Sequence, residues 1–364
     1  MRVTHTAGPA AIGGMAPLVL RRVGAPHRRQ AEFLEATFLP GRGMNLFQVR
    51  AHLPRMGEVD LLHSPTLDQA RRLMNGGPDD WMGVQSFSCG GAILVPFANR
   101  IRGALSNDGR MIETRILDRR VRLPADWHGR QPGAEKCAIH GLMLASVMGV
   151  TERTPDRLTA VLTAGDFGGH WLSRSVVRFA AALRPSELEL FVTVQNAGDD
   201  LLPVGVGWHP YFAIPSGRRA ECRVRVPARQ RALVNNYDDV FPTGQFERVE
   251  GTGYDFTMPD GAALGSRAFD DTLVDLRRTD DGCTSVDIID PAAGYRMRLT
   301  TLSPYIQAVQ LYGRPDQPFV AIEPQFNLAD PFGTVWPPHV DTGMVVLRAA
   351  GEVTWGVRWQ LLDA

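Results

Sequence analysis

The stretch ELELFVTVQN at residues 187–196 alternates apolar side chains with charged or hydroxyl-bearing ones. Such alternation is typical of a half-buried β-strand, because successive side chains point to opposite faces. Similar short runs recur from about residue 46 onward, separated by Gly, Pro, Asp and Asn, and predict an all-β chain forming a large antiparallel β-sandwich. These runs are NLFQVRAHL, SVVRFAAAL, CRVRVP, SVDIID, YRMRLTTL, IQAVQLYG, FVAIEP, GMVVLRAA and VTWGVRWQLL.

One stretch has a helical pattern instead. In PTLDQARRLMN (65–75), Pro65 and Thr66 form a typical helix start, and Asn75 is followed by two glycines that end it. We interpret residues 60–85 as an inserted loop that carries this helix. The sequence has no Gly-rich phosphate loop between a strand and a helix and no repeat of fixed period, which argues against nucleotide-binding folds and propellers.

The composition points to a neutral or polar small ligand. Lys plus Arg and Asp plus Glu each total 39 in 364 residues, so no charge imbalance favours nucleic acid or an anionic membrane. No apolar run approaches the roughly 18 residues of a membrane span. The four cysteines are scattered and predict buried thiols in a reducing, cytoplasmic compartment.

The N-terminal residues 1–34 lack strand periodicity, and their arginines mostly follow a short apolar patch. A secretory signal places its charge before the apolar run, so a disordered tail is favoured over a targeting segment. We therefore predict a tail over 1–34 and a single β-sandwich domain over 35–364.

Four stretches place a chemically capable residue next to Gly or Pro: PFANRIRG (96–103), AIHGLMLAS (138–146), GWHPYF (207–212) and AIEPQFNLADPF (321–332). Proline lacks an N–H, so we expect Pro210 and Pro324 to end their strands and to fix His209 and Glu323 at strand ends. Tyr211 and Phe212 offer a flat apolar wall that suits the face of a sugar ring.

Arg100, with its neighbour Asn99, and His140 can supply fixed donors to sugar hydroxyls. Each candidate also has an ordinary structural interpretation: a core histidine, a surface turn at Glu323 or a surface ion pair at Arg100. It is their joint occurrence that favours a site.

Together, FANRI, IHG, HPYF and IEPQ resemble, in order, the motifs of the aldose 1-epimerase (galactose mutarotase) family, and the resemblance covers roughly residues 46–361. It implies a β-supersandwich without metal or cofactor that interconverts the α and β anomers of a free monosaccharide. It further implies His209 as the general acid and Glu323 as the general base. The implied sugar-binding residues are Asn99, Arg100, His140, Tyr211 and an aspartate.

That aspartate is expected in FDDTLVDL (269–276), where Asp270 is the first choice and Asp271 the alternative. Leu273 stands where the family has an aromatic residue, which leaves the stacking partner on that side open. The expected assembly is a monomer or a homodimer without nucleic-acid or membrane partners.

Other functions stay open at this point. A hexose-6-phosphate 1-epimerase would need cations such as Arg102, Arg267 and Arg314. A glycosidase would use Asp270 and Glu323 but leave His209 without a role. A zinc site would need His140, His170 and His209. A non-catalytic sugar-binding domain is the main non-enzyme alternative.

Overall fold

The structure is a computed structural model that describes residues 10–24 and 29–363. Strands dominate it. In the N-terminal half they are β1 (Leu18–Arg21), β2 (Glu32–Leu39), β3 (Asn45–Leu53), β4 (Gly57–Asp60), β5 (Gly91–Leu94), β6 (Arg100–Ile101), β7 (Ala104–Leu105), β8 (Met111–Ile116), β9 (Arg119–Pro124), β10 (Trp127–His128), β11 (Lys136–Ile139), β12 (Gly149–Arg153), β13 (Arg157–Gly165) and β14 (Ser175–Leu183).

The C-terminal half continues the antiparallel pattern. Its strands are β15 (Glu187–Asn196), β16 (Leu202–Val204), β17 (Gly207–Ala213), β18 (Arg223–Arg225), β19 (Ala228–Val234), β20 (Pro242–Arg248), β21 (Ala262–Ala263), β22 (Phe269–Leu276), β23 (Ser285–Asp290), β24 (Tyr295–Thr301), β25 (Ala308–Gly313), β26 (Phe319–Gln325), β27 (Val345–Leu347) and β28 (Glu352–Asp363). The predicted all-β class is confirmed, and the bounds of β3, β14, β15 and β23 are those that the alternation indicates.

Three sheets form the body of the fold. The largest has nine strands in the order β12-β13-β14-β15-β28-β24-β23-β18-β21. A seven-stranded sheet runs β20-β19-β22-β25-β26-β17-β5, and a four-stranded sheet runs β1-β2-β3-β4. Smaller sheets join β10-β11-β6, β7-β8-β9 and β16-β27.

The nine-stranded sheet packs against both of the other large sheets. The indole ring of Trp359 on β28 lies 5.3 Å from the Phe33 ring on β2 and 5.1 Å from the Phe212 ring on β17, measured between ring centroids. Burial of such large aromatic residues contributes to the stability of this core. One hydrophobic cluster extends from Leu20 to Leu361.

The predicted boundary of the domain at residue 35 is wrong for the described part of the N-terminal segment. Strand β1 pairs with β2 from Leu18↔Phe38 to Arg21↔Glu35, and Leu20 is fully buried. A four-residue strand is too short to show a periodic pattern, and the partner that stabilises it comes later in the chain. Residues 1–9 and 25–28 of the predicted tail lie outside the described residues.

The predicted helix is present as α1 (Leu67–Leu73), with Thr66 as its N-cap in a capping box with Gln69. A 3₁₀ segment, Pro78–Phe87, follows it; another short one spans Pro40–Arg42. Buried Asp80 pairs with the guanidinium of Arg42, which attaches the inserted segment to the sandwich. None of the helices in the described ranges is long and apolar enough to cross a membrane.

Three cysteines, Cys89, Cys137 and Cys222, are buried free thiols as predicted, whereas Cys283 is only partly buried.

Candidate active site

Strand β17 separates the candidate site from the core. His209 and Tyr211 line a cavity, while Trp208 and Phe212 point to the opposite face and pack near Trp359, at 6.1 and 5.1 Å between ring centroids. The division follows from the two-residue period of a strand. The expectation that Phe212 shares a sugar-facing wall with Tyr211 is wrong, because the two residues lie on opposite faces of the strand.

His209 and Glu323 meet on neighbouring strands. The pairs Gly207↔Gln325 and Tyr211↔Ala321 set the register of β17 with β26. His209 Nε2 lies 3.3 Å from Glu323 Oε1, and both side chains are at most 6% exposed. His209 Nδ1 and Glu323 Oε2 are buried and have no hydrogen-bond partner among the described residues. Buried polar atoms are normally paired, so two unpaired atoms on neighbouring side chains are unusual for a core and typical of a functional site.

The expectation that Pro210 and Pro324 end their strands is wrong. Both prolines lie inside strands, where Pro210 pairs with Gly91 of β5 and Pro324 pairs with Val309 of β25. The ladder between β17 and β26 is interrupted between Gly207↔Gln325 and Tyr211↔Ala321, the interval that contains both prolines. Trp355 Nε1 donates a hydrogen bond of 3.1 Å to the Pro324 carbonyl, which satisfies that acceptor from the other sheet.

A polar network continues across the same sheet from Glu323. Gln310 lies opposite Glu323 in the register of β25 with β26, and its Nε2 donates to Asp270 Oδ1 at 2.6 Å. Asn99 Nδ2 donates to Gln310 Oε1 at 3.3 Å. Arg100 Nη1 donates to Asn99 Oδ1 at 3.0 Å, and Arg100 Nη2 lies 3.7 Å from Asp270 Oδ2. The network fixes the direction of each side chain.

Asn99 and His140 have an unusual backbone conformation. Their φ angles are 60° and 58°, in the left-handed region that most residues with side chains avoid. The His140 N–H donates to the Asn99 carbonyl at 2.8 Å, so the two strained residues support each other. Next to them, a Cβ on Gly141 would lie 2.3 Å from the Val95 carbonyl oxygen. Such strain is concentrated at functional sites.

Aromatic rings enclose the histidine pair. The His140 and His209 rings lie 4.8 Å apart, and Phe87 at the end of the 3₁₀ segment lies 4.6 Å from His140 and 5.7 Å from His209. Tyr211 packs 4.8 Å from His209 and 4.7 Å from Phe319. The 3₁₀ segment Pro78–Phe87 therefore contributes Phe87 to the cavity wall.

The guanidinium of Arg100 lies 4.5 Å from the centre of the Trp127 ring. This cation–π contact holds a buried positive charge beside the network described above. The charge is available to an oxygen-rich ligand.

The adjacent carboxylates Asp270 and Asp271 face different surroundings. Asp270 lines the cavity. Asp271 is 1% exposed and accepts hydrogen bonds of 2.8 Å from both Arg231 and Tyr237. Leu273, in place of the family's aromatic residue, is fully buried. The geometry favours Asp270 as the residue that a ligand reaches.

Burial shifts the pKa of the central pair in opposite directions. It raises the pKa of Glu323 well above its usual value, with a further increase from Asp270, while Arg100 opposes it. Burial lowers the pKa of His209 to about 4, and Arg100 contributes to the decrease. His140 has a lowered pKa for the same main reason, with contributions from His209 and Arg100. A carboxylate with a raised pKa is a stronger base, and an imidazolium with a lowered pKa is a stronger acid.

The cavity measures about 650 Å³ and brings all the predicted site residues together. They are Asn99, Arg100, His140, His209, Tyr211, Asp270 and Glu323. Sequence reasoning missed other lining residues: Phe87, Trp127, Tyr237, Gln310, Tyr312 and Phe319. Gln310 had a usable signal, because it is a polar residue inside the apolar run IQAVQLYG; the others had none.

The residues required by two alternatives do not converge here. Of the three arginines considered for a phosphate, only Arg314 lines the cavity. Arg102 pairs with Glu135, and Arg267 donates to backbone carbonyls. His170, needed for zinc, bonds through Nδ1 to the Arg122 carbonyl outside the cavity.

These features define a class: a large antiparallel β-sandwich protein with an enclosed histidine–carboxylate pair on one sheet. A model of the aldose 1-epimerase family matches residues 58–352. The chain belongs to the aldose 1-epimerase family, as its motifs predict.

Solved structures share the fold at low sequence identity. A galactose mutarotase-like protein from Clostridium acetobutylicum has 17% identity and a TM-score of 0.71, with 92% of this chain and 95% of that chain covered. An aldose epimerase homologue from C. elegans has 15% identity and a TM-score of 0.69, covering 96% and 99%. A galactose 1-epimerase from Lactobacillus acidophilus has 15% identity and a TM-score of 0.60, covering 96% and 99%. A search of curated proteins found no match.

Proposed function

We propose that the protein is an aldose 1-epimerase that interconverts the α and β anomers of a free aldohexose. The observation that carries this proposal is the 3.3 Å contact between His209 Nε2 and Glu323 Oε1 inside the cavity, with one unpaired polar atom on each side chain. Mutarotation requires an acid and a base that act on the same hemiacetal, and this pair supplies both.

In the proposed reaction, Glu323 removes the proton from the anomeric hydroxyl while the bond between C1 and the ring oxygen breaks. His209 gives its proton to the ring oxygen, and an open-chain aldehyde forms. After rotation about the C1–C2 bond, the ring oxygen attacks C1 from the other face. The two proton transfers then run in reverse, so both side chains recover their starting states.

The environment of the pair favours these transfers. The raised pKa of Glu323 and the lowered pKa of His209 place the proton of the resting pair on Glu323, so the reactive arrangement forms when that proton passes across the 3.3 Å contact to His209. Once formed, this arrangement places a strong base beside a strong acid, as ring opening requires. Each positioned proton transfer contributes typically about 10²–10⁴-fold, so the pair accounts for much of the acceleration.

The remaining residues are proposed to bind the sugar. Arg100, His140 and Asp270 contact hydroxyls, supported by Asn99, and Tyr211 packs against a ring face. Arg100 Nε and His140 Nδ1 are buried atoms without partners among the described residues, which supports this assignment.

Polarimetry tests the proposal. Freshly dissolved α-glucose, α-galactose and glucose 6-phosphate are followed with and without the purified protein. We expect the rotation of at least one free hexose to change faster than its spontaneous rate. Acceleration of glucose 6-phosphate alone would contradict the free-sugar assignment, and no acceleration of any sugar despite binding would favour a sugar-binding domain.

A further inference from the structure

Tyr237 lies at the open end of the cavity. It is 54% exposed, whereas His209 and Glu323 at the other end are 5% and 2% exposed. The cavity thus runs from a buried reactive pair to an exposed aromatic ring. Large exposed aromatic rings on a pocket wall are typical of ligand contacts.

The hydroxyl of Tyr237 is held by protein groups despite this exposure. It donates to Asp271 Oδ1 at 2.8 Å, shares a 2.8 Å hydrogen bond with the Tyr254 hydroxyl, and accepts from Arg231 Nη1 at 3.3 Å. Three partners at one phenolic oxygen fix the direction of the ring. The conformational cost of ordering this side chain is therefore met before any ligand arrives.

The partners are themselves firmly placed. Arg231 lies 3.6 Å from the centre of the Tyr254 ring and pairs with Glu247 at 2.7 Å. Asp271 Oδ2 also accepts a hydrogen bond of 3.2 Å from the backbone N–H of Asp270. One buried carboxylate therefore orients both the exposed ring and the aspartate of the cavity.

We infer that Tyr237 is a specificity-determining residue of the outer cavity, whose ring packs on a second sugar unit attached to the reacting one, and that Asp271 is its positioning residue. The inference rests on the proposed function. A second unit linked to the reacting ring extends toward the open end, where the fixed ring of Tyr237 offers an apolar face to its C–H groups. Its hydroxyls remain in contact with solvent.

The test compares glucose with maltose and cellobiose, which carry the same reducing-end glucose. Values of kcat and KM are measured by polarimetry for the wild type and Tyr237→Ala. We expect the substitution to raise KM for both disaccharides by about three- to tenfold, the scale of one aromatic stacking contact. KM for glucose should stay within about twofold, and kcat for all three sugars should be unchanged.

Two further variants separate the ring from its support. Tyr237→Phe keeps the ring but loses the hydroxyl, and Asp271→Asn keeps the shape but weakens the acceptor. Tyr237→Phe should raise KM for the disaccharides by less than Tyr237→Ala does, with an unchanged thermal midpoint as a check on folding. Asp271→Asn weakens the support of Tyr237 and also that of Asp270, so it should raise KM for glucose as well as for the disaccharides and lower the thermal midpoint. Tyr305→Ala is the matched control, because Tyr305 is 46% exposed and packs near Phe326 outside the cavity.

If Tyr237→Ala changed KM equally for glucose and the disaccharides, or changed it for none of them, the inference would be overturned. So would a wild type that accelerates glucose but neither disaccharide. If the wild type accelerates none of the three sugars, the proposed function fails instead. Calorimetric titration then still tests the inference, which requires maltose to bind more tightly than glucose and Tyr237→Ala to remove the difference.

Discussion

The nine-stranded and seven-stranded sheets differ in the burial of alternate side chains. In β15 of the nine-stranded sheet every second residue is only partly buried, and these positions carry solvent-side pairs such as Glu189 with Arg358 at 2.7 Å. In β26 of the seven-stranded sheet all residues are buried, including Glu323 and Gln325. A polar side chain in a fully buried strand has no contact with solvent. It therefore needs a hydrogen-bond partner in the protein or in a ligand.

The cover over the seven-stranded sheet comes from segments outside it. Phe87 belongs to the 3₁₀ segment Pro78–Phe87 and Trp127 to β10, and both line the cavity over the sheet. They convert what would be a solvent face into an enclosed site. The same two-residue period therefore supports stability in one sheet and chemistry in the other.

The largest expected effect on stability is on the core face of β17. Phe212 is 1% exposed and packs against Trp208 and Trp359. Phe212→Ala should reduce the free energy of unfolding by about 3–5 kcal/mol, because it removes a buried ring and leaves a cavity. Thr193→Ala on the outer face of β15 should change it by less than about 0.5 kcal/mol.

Denaturant unfolding measures both changes. The folded fraction of Phe212→Ala should retain its turnover, since the residue faces away from the cavity. A small stability loss together with a large loss of turnover would show that the two faces of β17 are not separated in this way.

A smaller effect is expected at the residues that we propose to bind the sugar. Arg100→Ala and His140→Ala each remove a fixed donor, so binding of the sugar should weaken by about 1–3 kcal/mol. Arg178→Ala is the matched control, because Arg178 lies on the outer face of β14 and bonds to Gln195. Calorimetry and steady-state kinetics should find the control unchanged, and wild-type values in Arg100→Ala would place that residue outside the site.

The smallest effect is a displacement of the pH profile. The reaction needs one proton on the pair, and burial lowers the pKa of His209 to about 4, with Arg100, His140 and Asp270 as the charged or titratable groups nearby. A second proton is therefore taken up only near pH 4. The acid limb of kcat/KM should lie near that pH, so activity at pH 5–6 is retained; an acid limb near 6.5, the ordinary value for histidine, would indicate a solvated His209.

The sequence was sufficient to predict the long alternating strands, and the candidate residues that it singled out line one cavity. Strands β14 and β15 have the predicted bounds because each carries its period over nine or ten residues. The motif residues also meet in one cavity. Features that depend on residue type and on local sequence pattern can therefore be predicted from the sequence.

Features that depend on distant pairing were not predictable. Strand β1 is held by its pairing with β2. Pro210 and Pro324 lie where the ladder between β17 and β26, two strands far apart in sequence, is interrupted. Tyr237 is fixed by Asp271 and Tyr254, which come from other segments. No local pattern specifies which loops will meet over a sheet.

The most direct test of the acid–base pair combines optical rotation with calorimetric sugar binding for Glu323→Gln, His209→Asn and the double variant, with Glu189→Gln from β15 as the control. Each single variant should still bind sugar but lose about 10²-fold or more in turnover, and the double variant should be little worse, because groups that act as a unit are non-additive. Glu189→Gln should match the wild type. Turnover of Glu323→Gln close to the wild-type rate, or a wild type that binds sugar yet leaves the spontaneous rate unchanged, would contradict the catalytic role of the pair.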